Sequence, residues 1–199
     1  MGCVFCASGE KGLVRNLEPY EMIEQVLLVR DQLGEADRLS HVTVMGIGEP
    51  LANLDNVLAA LERINASEGL GIGARKIAVS TCGLPDGMRR LADHGKQYHL
   101  AVSLHAPSDE LRARLMPGAA RVAISDILGA ARYYARRTTR KVAFEYVLVR
   151  GLNDAPEHAE ELGRRLGDFP CMVNLIPLNE VDHCPELSPP GRGAVRRFR

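Results

Sequence analysis

His41-Val42-Thr43-Val44-Met45-Gly46-Ile47-Gly48-Glu49-Pro50 is a short β-branched apolar run that ends in a glycine-bounded polar turn. Such a run predicts a strand, His41–Met45, buried on both faces, with its carboxyl-terminal loop at Gly46–Pro50. Ahead of it, Met22, Ile23, Val26, Leu27 and Leu33 recur at helical spacing between Glu18-Pro19 and Gly34, which predicts a helix over Pro19–Leu33. Behind it, Leu54–Ile64 predicts a second helix.

Working outward from this unit, the same alternation returns along the chain. The pattern predicts strands at Lys76–Ser80, Leu100–Leu104, Val142–Val149 and Met172–Ile176. It predicts helices at Met88–Ala92, Ser108–Leu115, Ile124–Arg137 and Glu157–Leu166, and a turn at Ser188–Gly191 before a final short helix. Apolar strands alternating with helices imply an α/β fold with a parallel sheet, either open or closed into a full or partial barrel. Composition does not separate those two.

In such folds ligands bind at the carboxyl ends of the strands. The loops there are Gly48-Glu49-Pro50, Ser80-Thr81-Cys82-Gly83, Ser103-Leu104-His105-Ala106-Pro107 and Pro177-Leu178-Asn179. A ligand spanning them meets carboxylate, hydroxyl, imidazole and amide groups. Gly46-Ile47-Gly48 and Gly69–Gly73 lack the full glycine pattern of a nucleotide loop and read as turns.

The 199 residues, 46% of them hydrophobic, suffice for one good core. Lys plus Arg and Asp plus Glu both number 25, so no overall basic field draws the chain onto nucleic acid. Arginines cluster locally at Arg112, Arg114, Arg121, Arg132, Arg136, Arg137 and Arg140, and read mostly as solvated helix faces, with phosphate contact as the alternative. With no long apolar run and no export signal, the expected compartment is the cytoplasm, without a membrane partner.

The five cysteines, at positions 3, 6, 82, 171 and 184, read as reduced thiols or metal ligands. Cys3-Val4-Phe5-Cys6 is a C-x-x-C pair, compatible with a zinc half-site, a redox pair or part of an iron–sulfur run. A second tight ligand pair for zinc is missing, and the segment after it, Ala7–Asn16, is loop-like where a redox pair opens a helix. Cys82, Cys171 and Cys184 read as packed or free thiols.

Taken together, Met1–Gly9, Arg15-Asn16-Leu17, Met45–Asn53, Ser103–Pro107, Glu145–Leu148, Gly151–Asp154 and Asn174–Asn179 resemble, in order, the signatures of the RlmN/Cfr family of radical S-adenosylmethionine (SAM) RNA adenine-C2 methyltransferases. The resemblance spans about residues 3–179 of a single core domain, 1–199. It implies a partial (β/α)6 barrel whose first strand and C-terminal segment lie outside this sequence. It implies two cofactors, a 4Fe–4S cluster and SAM, with Cys3 and Cys6 as two of three cluster ligands; the third falls four residues before Cys3. Gly48, Glu49, Ser80, Ser103, Leu104, His105 and Asn179 match cofactor-holding positions, Gly48-Glu49 receiving the methionine ammonium. Phe5 matches a position near adenine, with plain packing as its alternative.

The same resemblance implies methylation at C2 of an adenosine in large-subunit rRNA, extending to tRNA, with an electron donor for the cluster. The family's methyl-carrying and resolving cysteines fall outside residues 1–199, so no catalytic residue is assigned here, and the chain is expected to be an incomplete copy, inactive alone. The rivals are a radical SAM enzyme with another reaction and a non-catalytic remnant that binds SAM or nothing.

Overall fold

The computed structural model describes residues 2–9, 12–34, 36–167, 169–180 and 182–199. Met1 of the opening motif, and Glu10 and Lys11 of the loop after it, lie outside the described residues.

Five parallel strands form one sheet: β1 (Val42–Val44), β2 (Ile77–Thr81), β3 (His99–Ser103), β4 (Val142–Leu148) and β5 (Cys171–Pro177), in spatial order β1-β2-β3-β4-β5. A doubly wound sheet reverses direction at a switch point, whereas here every strand is added on the same side of the one before. That order excludes the doubly wound arrangement and is the order of a partial barrel wall. With the near-universal right-handed crossover, the connecting helices all fall on one face.

Those helices are α1 (Pro19–Asp31), α2 (Leu54–Asn65), α3 (Pro85–Asp93), α4 (Asp109–Leu115), α5 (Ile124–Thr138), α6 (Pro156–Leu166) and α7 (Arg192–Phe198). Alternate strand residues meet them: Ile77 and Val79, Leu100 and Val102, and Val142, Phe144, Tyr146 and Leu148 join Leu61, Met88, Leu91, Ile127 and Tyr134 in the main core. The residues between them turn to the inner face. Register aligns Ser80 with Ala101 and Ala143, and Ser103 with Glu145 and Asn174, so two rows of small and polar side chains cross that face.

The expected strands and helices are all present, with shifted ends, while Ser188–Gly191, expected as a turn, is irregular chain. α1 stops at Asp31, two residues short, because Gln32 and Leu33 N–H groups turn back three residues to Val29 and Arg30. α3 starts three residues earlier than expected, at Pro85, whose fixed φ suits the first helical turn. The expectation of a first strand buried on both faces is wrong: Val42 and Val44 are half-buried, and Thr43 and Met45 are exposed. Among the described residues β1 pairs only with β2, and β5, which pairs only with β4, is likewise exposed at Met172, Val173 and Asn174.

A second, smaller core sits at the carboxyl ends of the strands. It joins Cys82, Ala106, Leu111, Leu115, Met116, Val147, Val149 and Leu178, with Cys3, Val4 and Phe5 packed against it. Val4 N–H donates to the Leu115 carbonyl at 3.0 Å, docking the C-x-x-C segment on the end of α4. The stretch Arg15–Leu17 is tied in by Asn53 and Asn56, whose amides donate to the Leu17 carbonyl at 2.8 and 3.1 Å. Among the described residues no helix is long and apolar enough to cross a membrane.

Candidate cofactor site at the carboxyl ends of the strands

Glu49 follows β1 and caps the short helical turn Pro50–Asn53, its Oε1 accepting Leu51 N–H at 3.0 Å. The same oxygen accepts the Thr81 hydroxyl at 2.8 Å, and Oε2 accepts Cys82 N–H at 2.7 Å. The carboxylate therefore staples the β1 loop to the β2 loop. Each carboxylate oxygen offers about two lone-pair sites, and Leu51 N–H and the Thr81 hydroxyl fill those of Oε1, so a ligand ammonium would meet the carboxylate at Oε2, in competition with the Cys82 side chain that also bonds Glu49. Gly48, at φ +100°, makes the turn into this position, and an added Cβ there would carry backbone strain. Burial, with Glu49 beside it, pushes the Cys82 thiol pKa up, and its side chain packs in the smaller core.

His105 follows β3 in the left-handed region at φ +60°. Its N–H and that of Leu104 both donate to the Glu145 carbonyl at 3.1 Å, which carries the chain across the end of β4. Its Nδ1 accepts Val147 N–H at 3.1 Å, so the proton of the neutral ring sits on Nε2. Burial, with the Arg112 charge nearby, holds the imidazole pKa down at about 3, leaving a neutral ring. Asn153 fixes this loop. Its amide donates to the His105 carbonyl at 2.8 Å and the Val147 carbonyl at 2.6 Å, while its Oδ1 accepts Val149 N–H at 2.7 Å.

Cys3 and Cys6 lie on one turn, closed by Cys6 N–H to the Cys3 carbonyl at 3.1 Å. Phe5 between them meets His105 edge to face, ring centroids 4.9 Å apart, so the motif joins the β3 loop directly. Burial, with Cys6 beside it, raises the Cys3 thiol pKa, and Arg112 pulls the other way. Two thiols of this spacing and placement fit part of an iron–sulfur ligand set. Among the described residues no group of three or more His, Cys, Asp or Glu side chains could hold a metal ion.

The structure brings Gly48, Glu49, His105, Cys3 and Cys6 to one end of the sheet. Ser80 and Ser103 stand on the inner face just below them, and Asn179 lies exposed beyond β5. Leu104 differs: its side chain is in the main core, and its backbone N–H is engaged by the Glu145 carbonyl, so neither is offered to a ligand. Sequence reasoning missed Glu145, which is buried on the inner face and accepts the Asn174 amide at 2.7 Å. It also misread Arg112, taken for a solvated helix face and here 1% exposed. The available signal was spacing: Arg112 precedes Leu115 and Met116 by three and four residues and shares their buried face.

The sequence profile of the Radical SAM superfamily matches residues 1–163. The chain belongs to the radical SAM superfamily. Members use a 4Fe–4S cluster and SAM, which accords with a thiol pair beside polar strand-end loops. Along its whole length the chain is 48% identical to a probable dual-specificity RNA methyltransferase RlmN from Symbiobacterium thermophilum, of which it covers 54%. It is 51% identical over 181 residues to a protein of the same name from Clostridium perfringens, covering 91% of this chain and 52% of that one. A solved radical SAM methyltransferase from Sphaerobacter thermophilus superposes with a TM-score of 0.95 at 44% identity, over 99% of this chain and 58% of that one. The chain thus spans about half the length of the curated relatives it matches.

Proposed function

We propose that residues 1–199 form the SAM- and cluster-binding core of an RNA methyltransferase that places a methyl group on C2 of an adenosine in large-subunit rRNA, and on tRNA as a second substrate. The observation that carries this reading is the identity of about half of all residues to proteins named dual-specificity RNA methyltransferases. It is joined to a strand-end shell that presents two thiols, a carboxylate and a neutral imidazole together.

Cys3 and Cys6 hold two positions of the cluster, which when bound supplies the electron for cleaving SAM. Gly48 and Glu49 receive the methionine ammonium, an anionic neighbour suiting a cation. Ser80, Ser103, the Leu104 carbonyl, His105 and Asn179 line the rest of the cofactor. A neutral His105, oriented through Val147 N–H, would offer Nε2–H to the cofactor as a hydrogen-bond donor without adding positive charge to the site. An external reductant is the electron donor, and the chemistry on RNA requires thiols not assigned among residues 1–199.

The test is nucleoside analysis. The full-length protein, expressed in a host without its own activity, is expected to yield 2-methyladenosine in digests of 23S-type rRNA and of tRNA by mass spectrometry. Unmodified adenosine in both, from a protein that still cleaves SAM, would replace this reading with a different radical SAM reaction.

A further inference from the structure

Arg112 is the most deeply buried charged side chain among the described residues, at 1% exposure. A guanidinium in that position is costly unless a counter-charge or a full set of acceptors meets it. Its acceptors are all backbone carbonyls: Nη2 donates to Cys82, and Nη1 to Ala119 at 3.0 Å and to Val122 at 3.4 Å. Its buried Nε has no partner. No carboxylate among the described residues forms an ion pair with it. Asp109, on the exposed first turn of the same helix, spends Oδ1 on Ile124 N–H at 2.7 Å.

What surrounds Arg112 is the site. Leu111 and Leu115, its neighbours on α4, belong to the small core on which Cys3, Val4 and Phe5 pack, and the Leu115 carbonyl receives Val4 N–H. Cys82, whose carbonyl Arg112 holds, donates its N–H to Glu49. One buried cation with no carboxylate in hydrogen-bond contact, Asp109 on the same helix acting on it only at a distance, therefore lies behind a thiol pair, the Glu49 staple and His105. Its charge is felt at Cys3, Cys82 and His105 alike.

We propose that Arg112 is the fixed counter-cation of the Cys3–Cys6 site: it offsets the negative charge of the thiolates and of the group they hold, while its fork pins the β2 loop that carries Cys82 against α4. It is a positioning and charge-balancing residue and touches no substrate. The inference rests on the reading of Cys3 and Cys6 as cluster ligands. A cluster gains one negative charge on reduction, and net charge near a cluster is one of the determinants of its potential. A fixed cation favours the reduced state, so removing it makes the cluster harder to reduce.

The test is an anaerobic reconstitution with ferrous iron and sulfide, followed by a reductive titration monitored by electron paramagnetic resonance. It compares the unaltered protein with Cys3→Ala/Cys6→Ala, Arg112→Lys, Arg112→Gln and Arg112→Met. Circular dichroism melts report folding separately. The neutral variants are expected to shift the midpoint potential to more negative values. Arg112→Lys, which keeps the charge but not the fork, is expected to keep the potential while its melting temperature falls.

Neutral variants that titrate at the unaltered potential overturn the charge role alone, as does a lysine variant displaced as far as glutamine. Should both neutral variants fail to fold, the lysine variant is titrated at pH 7 and at pH 9.5: loss of the ammonium charge is expected to carry its potential further to the negative than that of the unaltered protein over the same interval, and an identical pH dependence overturns the role. An unaltered protein that takes up no iron, or a double alanine variant that keeps its cluster, overturns the cluster reading and this inference with it.

Discussion

Asn153→Ala removes three hydrogen bonds at once from a residue with no exposed surface. Val149 N–H loses its acceptor, and the carbonyls of His105 and Val147 lose donors, all of them buried. A buried group stranded in this way costs about 1–3 kcal/mol, and carbonyls, with a second lone pair, fall toward the low end. The sum is about 3–5 kcal/mol. For a chain of this size each kcal/mol moves the melting temperature by about 2–4 °C, so a fall of about 6–20 °C is expected. The loss also unties the left-handed turn at His105, so affinity for S-adenosylhomocysteine, read by calorimetry, should fall with it. Urea unfolding followed by circular dichroism gives the stability directly. Asn153→Asp should be at least as damaging, since it keeps an acceptor for Val149 but sets a carboxylate against two carbonyls. A loss below about 1 kcal/mol for Asn153→Ala would refute the claim that this amide organises the β3 and β4 ends.

Glu49→Gln keeps one acceptor but turns an NH2 group toward either Cys82 N–H or the Leu51 and Thr81 donors, costing about 1–3 kcal/mol in urea unfolding and weakening cofactor binding. Gly83→Ala sets a Cβ 2.9 Å from Ile127 Cδ1 at φ +95°, and should destabilise by about 1–3 kcal/mol in the same assay. His105, with its pKa lowered from 6.5 to about 3, takes up its proton in the unfolded chain first. Its contribution is therefore intact above pH 6.5 and lost as pH falls toward 3, at up to about 1.4 kcal/mol per pH unit. Unfolding measured at pH 7 and pH 5 should differ less in His105→Gln than in the unaltered protein, and equal differences would reject the buried neutral imidazole.

The sheet was legible because its strands are short apolar runs with turn residues at both ends, and their burial on the helix-facing side follows from the alternation of Ile77, Val79, Leu100 and Val102. What alternation leaves out is which strands are edges. The run Val42-Thr43-Val44 looks like a central strand, yet its exposure depends on a neighbour that local sequence does not name. Strand order, too, became visible only from the pairing. At the site, loop positions foretold where Gly48, Glu49 and His105 gather. They did not foretell that Glu49 would bridge to Thr81 and Cys82, contacts that span more than thirty residues of sequence. Arg112 and Asn153 were misread or passed over because charge and amide suggest the surface, and only three-dimensional satisfaction of their polar atoms puts them inside.

The central claim is that Cys3 and Cys6 hold an iron–sulfur cluster within reach of SAM at the strand ends. The most direct measurement is the electron paramagnetic resonance spectrum of the anaerobically reconstituted, dithionite-reduced full-length protein, recorded with and without SAM. The account predicts a reduced 4Fe–4S signal that changes shape when SAM is added and is absent in Cys3→Ala/Cys6→Ala. An iron-free protein, or a cluster signal indifferent to SAM, would contradict it.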